Sequence, residues 1–292
     1  YGFCPRGNSN MTKRMTKKKI KEDRAKVIEV TDVVAHYGPR MVLNGVNVSV
    51  HEGEIMVVMG RSGSGKSTLL RHMLALELPT SGSVTLLNSD VSAIGAEALF
   101  DLRRDIGVAF QGGALLSSLT VEQNIMLPLT EHSKLDRQTM EIMTRMKLEV
   151  VGLSKFGHLM PSELSGGMLK RAALARAIVM DPKILFCDEP SSGLDPMTAS
   201  ALDDLIIKLR DVLGMSVVVI THEVESAFKI ADRIAVVDDG EIVFIGTVSE
   251  VKKHKSTYIQ NLLNRSAEDG EIHPEEYLRR LTGDGSVKDL NL

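Results

Sequence analysis

A glycine-rich segment at residues 60–67 is the strongest candidate for chemistry in this sequence. It reads GRSGSGKS and fits the pattern G-x-x-x-x-G-K-[ST] without exception. The glycines let backbone N–H groups turn inward around phosphate oxygens, and the helix that follows adds its partial positive charge. Lys66 would reach the β- and γ-phosphates of a nucleotide, and the Ser67 hydroxyl would ligate Mg²⁺. The residues predicted to contact the nucleotide here are Gly60, Arg61, Ser62, Gly63, Ser64, Gly65, Lys66, Ser67 and Thr68.

Two adjacent acids, Asp188 and Glu189, end the apolar run ILFCDE. A carboxylate at the end of a strand can hold Mg²⁺ through its water shell, and a second one beside it can polarise an attacking water. We assign Asp188 to the metal and Glu189 to the water. Taken alone, the pair is equally explained as charged residues that end a strand, but beside a phosphate loop it indicates nucleotide hydrolysis.

A third element is the predicted helix start at Ser165, Gly166 and Gly167, which has no acidic side chain in its first turn. Bare N–H groups and the helix dipole would attract an anion there. Ordinary N-capping by Ser165 is the alternative. Because the chain already has a phosphate loop, a second phosphate site is useful only if two copies pack head-to-tail. Each copy would then offer this helix to the other's nucleotide, as the self-complementary faces of a twofold dimer allow.

The elements that must position these residues alternate between strand and helix. Three short apolar runs, residues 55–60, 183–189 and 216–222, are typical of strands buried on both faces of a parallel sheet. Further strands are predicted at residues 27–38, 42–54, 83–91 and 106–110, a hairpin across Asp239-Gly240, and helices at residues 197–213 and 248–264. We predict an α/β fold with a mainly parallel sheet core, a flanking antiparallel sheet and an inserted α-helical region at about residues 112–181.

Composition is consistent with one large α/β domain plus additions. The chain has 292 residues, of which 43% are hydrophobic and 25% charged, and its net charge is −3. This balance gives no reason to expect nucleic acid as a partner. Cys4 and Cys187 are far apart, so we expect no disulfide framework and a buried Cys187 thiol.

No segment of the sequence is typical of a membrane span or a signal peptide. The longest stretch without a charged residue, residues 106–121, is broken by glycine and serine and falls below the ~18 apolar residues of a span. The start of the chain has no apolar core of the signal-peptide type. The basic run at residues 13–26 is interpreted as a solvated tail, with contact to anionic lipid headgroups as the alternative.

The motifs, in their order along the chain, resemble those of the ABC-type ATPase subunits of membrane transporters. They are residues 60–67, Gln111, residues 164–167, Asp188-Glu189, the run SSGLDP and His222. The resemblance extends from Val27 to about His254. It implies a P-loop fold that binds ATP with Mg²⁺ and hydrolyses it as a dimer. It divides the chain into a basic tail at residues 1–26, an ABC ATPase domain at residues 27–254, and a C-terminal helix with a polar tail at residues 255–292.

The resemblance also implies roles for four further residues. Gln111 would touch Mg²⁺ and relay to a membrane partner, and Asp195 would lie in the loop that crosses the dimer. His222 would contact the γ-phosphate, whereas a core histidine is the alternative. Tyr37 would stack on adenine, whereas a half-buried strand aromatic is the alternative.

One residue departs from the usual signature. Met168 stands where the family usually has glutamine, and its thioether cannot hydrogen-bond the ribose as an amide can. The flanking runs MPSELSGGMLKRAALARAI and FQGGALLSSLTVEQNIMLPL resemble the branch that energises Mla/Mce-type phospholipid transport. This branch implies an integral permease, a lipid-binding MCE-type subunit and a small regulatory subunit as partners, and a peripheral location on the cytoplasmic face of the inner membrane.

Other functions share parts of this motif set. An ATPase of a polar-nutrient importer, for amino acids or phosphate, has every catalytic motif and differs only around the signature. A chromosome-clamping ATPase would place a long coiled coil between phosphate loop and signature, and a ribosome-associated one would carry two cassettes. A small-molecule kinase would have no use for the second helix start.

Overall fold

The computed structural model describes residues 24–264. Residues 1–23 and 265–292, which include Cys4 and most of the two tails predicted at residues 1–26 and 255–292, lie outside the described residues. The chain divides into two units, the first ending at Lys253 and the second beginning at His254.

The strands of the described residues form two sheets. They are β1 (Lys26–Tyr37), β2 (Arg40–His51), β3 (Ile55–Met59), β4 (Ser81–Leu86), β5 (Ser89–Asp90), β6 (Ile106–Ala109), β7 (Ile184–Asp188), β8 (Ser216–Ile220), β9 (Arg233–Asp238) and β10 (Glu241–Gly246). The first sheet has the order β2-β1-β4-β5, and the second has the order β10-β9-β3-β8-β7-β6.

The first sheet is antiparallel and confirms the flanking sheet predicted from the N-terminal strands. The prediction of one strand at residues 83–91 was wrong in detail. Leu87 and Asn88 have φ of 48° and 66°, and two consecutive left-handed residues reverse the chain in a tight turn. The segment therefore forms β4, a turn and the short β5.

The second sheet is the predicted core. Strand β3 runs parallel to β8 and β9, and β7 runs parallel to β8 and β6. Every residue of β3 and β8 is buried, which explains their continuous apolar sequence. The hairpin across Asp239-Gly240 is confirmed, since Glu241 pairs antiparallel with Asp238.

The helices of the described residues are α1 (Lys66–Met73), α2 (Ala96–Arg104), α3 (Val121–His132), α4 (Arg137–Val150), α5 (Gly166–Ala177), α6 (Pro196–Leu213), α7 (Val224–Ile230), α8 (Val248–Val251) and α9 (Thr257–Asn264), with a 3₁₀ turn at Pro161–Glu163. Helix α9 belongs to the second unit. The single helix predicted at residues 248–264 is therefore two short helices. Helix α2 was not predicted, and it has no fully buried residue.

The inserted helical region is confirmed between β6 and β7. Helices α3, α4 and α5 share an apolar cluster that includes Ile125, Leu148 and Ala172. Within the described residues, no helix has the length and apolar character needed to cross a bilayer.

Cys187 is expected not to react with thiol reagents in the folded protein. The residue lies in β7 with 0% of its surface exposed. Burial also raises the pKa of its thiol to about 12, whereas the thiolate is the reactive form. In a Cys4→Ser background, a disulfide-exchange reagent at pH 8 should label the protein only after denaturation. Rapid labelling of the native protein would contradict the burial of β7.

Candidate nucleotide site

The predicted phosphate loop connects β3 to α1 and runs close to other backbone. A Cβ atom on Gly60 would come within 2.3 Å of the Val237 carbonyl oxygen, and one on Gly65 within 2.9 Å of Leu43 Cδ2. Gly65 and Gly63 also have φ of 105° and 80°, in the region that favours glycine. The loop therefore needs glycine for both space and conformation.

The polar groups of this loop suit a phosphate. Lys66 Nζ donates to the carbonyl oxygens of Gly60 and Arg61 at 2.8 and 2.6 Å, so the ammonium group lies over the loop. Burial lowers the pKa of Lys66, and the charges of Glu189 and Asp188 oppose that shift. Ser64 Oγ is buried without a hydrogen-bond partner among the described residues. A phosphate oxygen would supply one, so the loop fits a nucleotide.

The two acids lie at the carboxyl end of β7, beside the end of β8. Asp188 pairs with Ile220 in the register of these parallel strands, and Glu189 N donates to the Ile220 carbonyl at 2.8 Å. Residues at the carboxyl ends of neighbouring parallel strands meet at one edge of a sheet, which is where α/β folds bind ligands.

Both oxygens of the Glu189 carboxylate have a partner from the segment that follows β8. Glu189 Oε1 lies 2.8 Å from His222 Nδ1, and Oε2 accepts from Thr221 Oγ1 at 3.2 Å. The Glu189 side chain is 13% exposed, whereas that of His222 is 55% exposed. Glu189 is thus held in one orientation, and the core-histidine explanation of His222 does not fit its exposure.

Asp188 lies among charges of both signs. Burial raises the pKa of its carboxyl, and Glu189 raises it further, while Lys170 and Lys66 lower it. For a metal, the predicted donors are the Asp188 carboxylate, the Ser67 hydroxyl and the Gln111 amide. No cluster of three or more His, Cys, Asp or Glu side chains that could hold a metal occurs in the described part of the chain. An oxygen set with one carboxylate fits Mg²⁺ that is held mainly by phosphates and water.

The predicted helix start forms as the N-terminus of α5. Ser165 is its N-cap, and Ser165 Oγ accepts from Met168 N at 3.3 Å. The Ser165 hydroxyl therefore satisfies one backbone donor, as ordinary capping requires. The Met168 side chain packs against the apolar cluster of the helical region, so it serves the core at this position.

The helix start and Asp195 form one patch. A Cβ atom on Gly167 would lie 2.6 Å from Thr198 Cγ2, so this glycine permits close packing against α6. Asp195 caps α6, because its carboxylate accepts from the backbone N–H groups of Met197 and Thr198 at 3.1 and 3.0 Å. A hydrogen bond from the Thr198 side chain, followed by these backbone hydrogen bonds, lowers the pKa of Asp195. The two elements predicted to face a second copy are therefore adjacent.

Tyr37 ends β1 with 46% of its surface exposed. Its hydroxyl accepts from Arg71 Nη1 at 2.7 Å and donates to Glu77 Oε2 at 3.2 Å. The side chains of Arg71 and Glu77 are also joined to each other at 3.2 Å. These bonds fix the hydroxyl end of the ring and leave the ring itself accessible.

Sequence reasoning missed three residues that hold this site together. Thr221 was missed because a threonine at a strand end carries no specific signal. Lys170 and Arg176 were visible only as the basic residues of α5, without an assigned purpose. Arg176 donates to the carbonyl oxygens of Ala114 and Gly113 at 2.7 and 3.0 Å.

The fold and site define a P-loop nucleotide hydrolase: a phosphate loop after a buried strand, with an acid pair at the end of a parallel strand in the same sheet. The sequence profile described as ABC transporter matches residues 43–192. The methionine import ATP-binding protein MetN of Haemophilus influenzae (strain 86-028NP) is 41% identical over 240 residues, covering 82% of this chain and 69% of that protein. The chain therefore belongs to the ABC transporter ATP-binding family and is an ATP-hydrolysing transport ATPase.

Two further comparisons agree with this assignment. The intermembrane phospholipid transport system ATP-binding protein MlaF of Haemophilus influenzae (strain ATCC 51907) is 33% identical, covering 87% of this chain and 98% of that protein. A dimeric ATP-binding cassette in a post-hydrolysis state, bound to ADP and Pi, has a TM-score of 0.70 and 32% identity, covering 76% of this chain and 98% of its own. The fold class is thereby confirmed.

Proposed function

We propose that two copies of this chain close head-to-tail on ATP and drive a membrane permease. The observation that carries the proposal is the Glu189 carboxylate, which Thr221 and His222 hold at the sheet edge where Lys66 and Asp188 also interact with it. A carboxylate held in this way can accept the proton of an attacking water.

Each residue of the site has a defined task in this proposal. The N–H groups of residues 60–67 and the Lys66 ammonium would bind and orient the phosphates. Mg²⁺ would be held by Ser67, Asp188 and Gln111. Bound Mg²⁺ neutralises charge on the phosphate oxygens. Glu189 takes the proton of the water, and the exposed ring of His222 orients Glu189 and reaches the γ-phosphate.

The patch formed by Ser165, Gly166, Gly167 and Asp195 supports the proposed dimer. Helix N-termini attract anions through their N–H groups and dipole. Offered to the nucleotide of a second copy, the patch makes closure depend on the γ-phosphate. The dimeric cassette that this fold matches supports such an arrangement. Closure and release would then bias the permease between two states.

The proposed contact with the permease is the segment after Gln111, residues 112–129, together with the adjoining Phe110. Phe110 and Leu116 are exposed there, at 39% and 46%. The backbone beneath them is held, because Asn124 bonds both the N–H and the carbonyl of Leu116 at 2.7 and 3.0 Å. Apolar side chains on a fixed backbone suit a short amphipathic helix of a membrane partner. The chain would then lie peripherally on the cytoplasmic face of the inner membrane.

We propose phospholipid as the cargo. The runs around Met168 and around residues 110–129 resemble the Mla/Mce branch, and the relative that acts in intermembrane phospholipid transport supports this choice. An MCE-type subunit and a small regulatory subunit are partners that this branch predicts. Amino-acid import is the second candidate, because the methionine import relatives are more identical in sequence.

Purification from native membranes in mild detergent, followed by mass spectrometry, tests the cargo. We expect a multi-span permease together with a lipid-binding envelope subunit and bound phospholipid. A permease that copurifies with a soluble nutrient-binding protein would favour amino-acid import and leave the catalytic assignments intact. Recovery without any permease would contradict the transporter proposal.

Replacing Tyr37 by Ala is expected to weaken ATP binding about 10-fold, because stacking of a base on an aromatic ring is worth ~1–3 kcal/mol. Binding of inorganic tripolyphosphate, which has no base, should not change. Tyr37→Phe keeps the ring and loses the bonds to Arg71 and Glu77, so it should bind ATP nearly as well as the unchanged chain. Equal ATP affinity for all three proteins in a calorimetric titration would restore the alternative of an ordinary strand aromatic.

A further inference from the structure

The basic side chains of α5 reach the segment that begins at Gln111. Lys170 Nζ donates to the Gln111 carbonyl oxygen, and Arg176 donates to the carbonyl oxygens of Gly113 and Ala114, two and three residues further along. Side chains of α5 also pack closely on the segment, since a Cβ atom on Gly113 would lie 2.5 Å from Leu169 Cδ2. Side chains of α5 therefore bind the main chain at the start of the proposed permease contact.

Lys170 has a second acceptor in the catalytic site. Its Nζ also donates to the Glu189 carbonyl oxygen at 3.1 Å. Glu189 has φ of 46°, a left-handed conformation that costs a non-glycine residue of this size free energy and needs support from its surroundings. One hydrogen bond from Glu189 N to Ile220 and one from Lys170 to its carbonyl supply that support on both sides of the residue.

Nearby carboxylates partly offset the cost of burying the Lys170 ammonium group. Burial lowers the pKa of Lys170, and the charges of Asp188 and Glu189 act in the opposite direction. Hydrogen bonds from a charged donor are about twice as strong as neutral ones. A neutral side chain of the same length would leave two carbonyl oxygens without this donor.

We propose that Lys170 is a positioning residue for Glu189, and that its single ammonium group ties the main chain of Glu189 to that of Gln111. This inference rests on the proposed function, in which Glu189 is the general base and the segment after Gln111 meets the permease. A movement of the segment after Gln111 would then be transmitted to Glu189 through the Lys170 side chain. These contacts give a structural task to two of the three basic residues of α5, Lys170 and Arg176.

Steady-state ATP hydrolysis by Lys170→Met, Lys170→Arg and the unchanged chain tests the proposal. We expect Lys170→Met to lower kcat by about 10- to 100-fold, the range for loss of hydrogen bonds to a charged group. The KM for ATP should stay within about twofold, because Lys170 does not contact the phosphate loop. Lys170→Arg keeps a cationic donor and should recover most of the loss. A kcat within about threefold of the unchanged chain for Lys170→Met would overturn the proposal, as would a loss that Lys170→Arg does not reduce.

A matched control variant and a comparison with Glu189→Gln show whether a loss of kcat is specific to Lys170. Lys183, whose Nζ bonds Asp105 Oδ2 at 2.8 Å on the surface, provides the matched change Lys183→Met, which should leave kcat unchanged. If Lys170→Met does not fold, Lys170→Gln serves instead, since the shorter neutral amide should show the same loss of kcat. If Glu189→Gln abolishes hydrolysis while the Lys170 variants keep it, the proposed role of Lys170 is wrong and the proposed function still stands. If Glu189→Gln retains hydrolysis, the proposed function itself fails.

Discussion

Glu189→Gln is expected to lower kcat for ATP hydrolysis by roughly 10²- to 10⁴-fold, the usual cost of removing a general base. Binding of ATP should persist, because Glu189 does not belong to the phosphate loop. The amide keeps the shape of the carboxylate and can still bond Thr221 and His222, which hold the native side chain at 3.2 and 2.8 Å. It cannot accept the proton of an attacking water.

The measurement is hydrolysis at saturating ATP, combined with light scattering to follow the dimer. Because ATP is bound and not consumed, the variant should accumulate as a nucleotide-bound dimer that the unchanged chain forms only transiently. Glu225→Gln is the matched control, since Glu225 is exposed in the first turn of α7. It should hydrolyse ATP at the normal rate. Fast turnover by Glu189→Gln would rule out Glu189 as the base.

Lys66→Ala is expected to reduce the affinity for ATP by about 100-fold or more. Each hydrogen bond to a charged group is worth about 1.5–3 kcal/mol, and Lys66 would make such bonds to two phosphates. The change also leaves the carbonyls of Gly60 and Arg61 without the Lys66 ammonium group. Lys66→Arg should not restore binding, because the planar guanidinium does not fit a site built around a compact ammonium group.

Calorimetric titration with Mg²⁺ and ATP checks this prediction, and a thermal melt without nucleotide confirms that the variant is folded. Lys208→Ala, which removes an exposed lysine from α6, is the control and should bind ATP normally. Unchanged affinity in a folded Lys66→Ala protein would show that residues 60–67 do not bind the phosphates.

The phosphate loop, the acid pair, the helix start at Ser165 and the parallel core were predictable from the sequence. Each depends on residues that are neighbours in the chain: glycines where the backbone turns, Lys66 and Ser67 at a helix start, and an apolar run that ends in Asp188 and Glu189. Local pattern is sufficient there, because the backbone conformation and the chemistry arise in the same short segment.

Only the tertiary structure shows which side chains from other segments hold the residues of the site in position. Glu189 is oriented by Thr221 and His222, Tyr37 is held by Arg71 and Glu77, and Lys170 joins Gln111 to Glu189. These residues are far apart in the chain, and no local pattern sets the distance between them. Glu189, Thr221 and His222 meet because the parallel strands β7 and β8 bring their carboxyl ends to one edge of the sheet. Lys170 reaches Gln111 because α5 packs against the segment that follows β6.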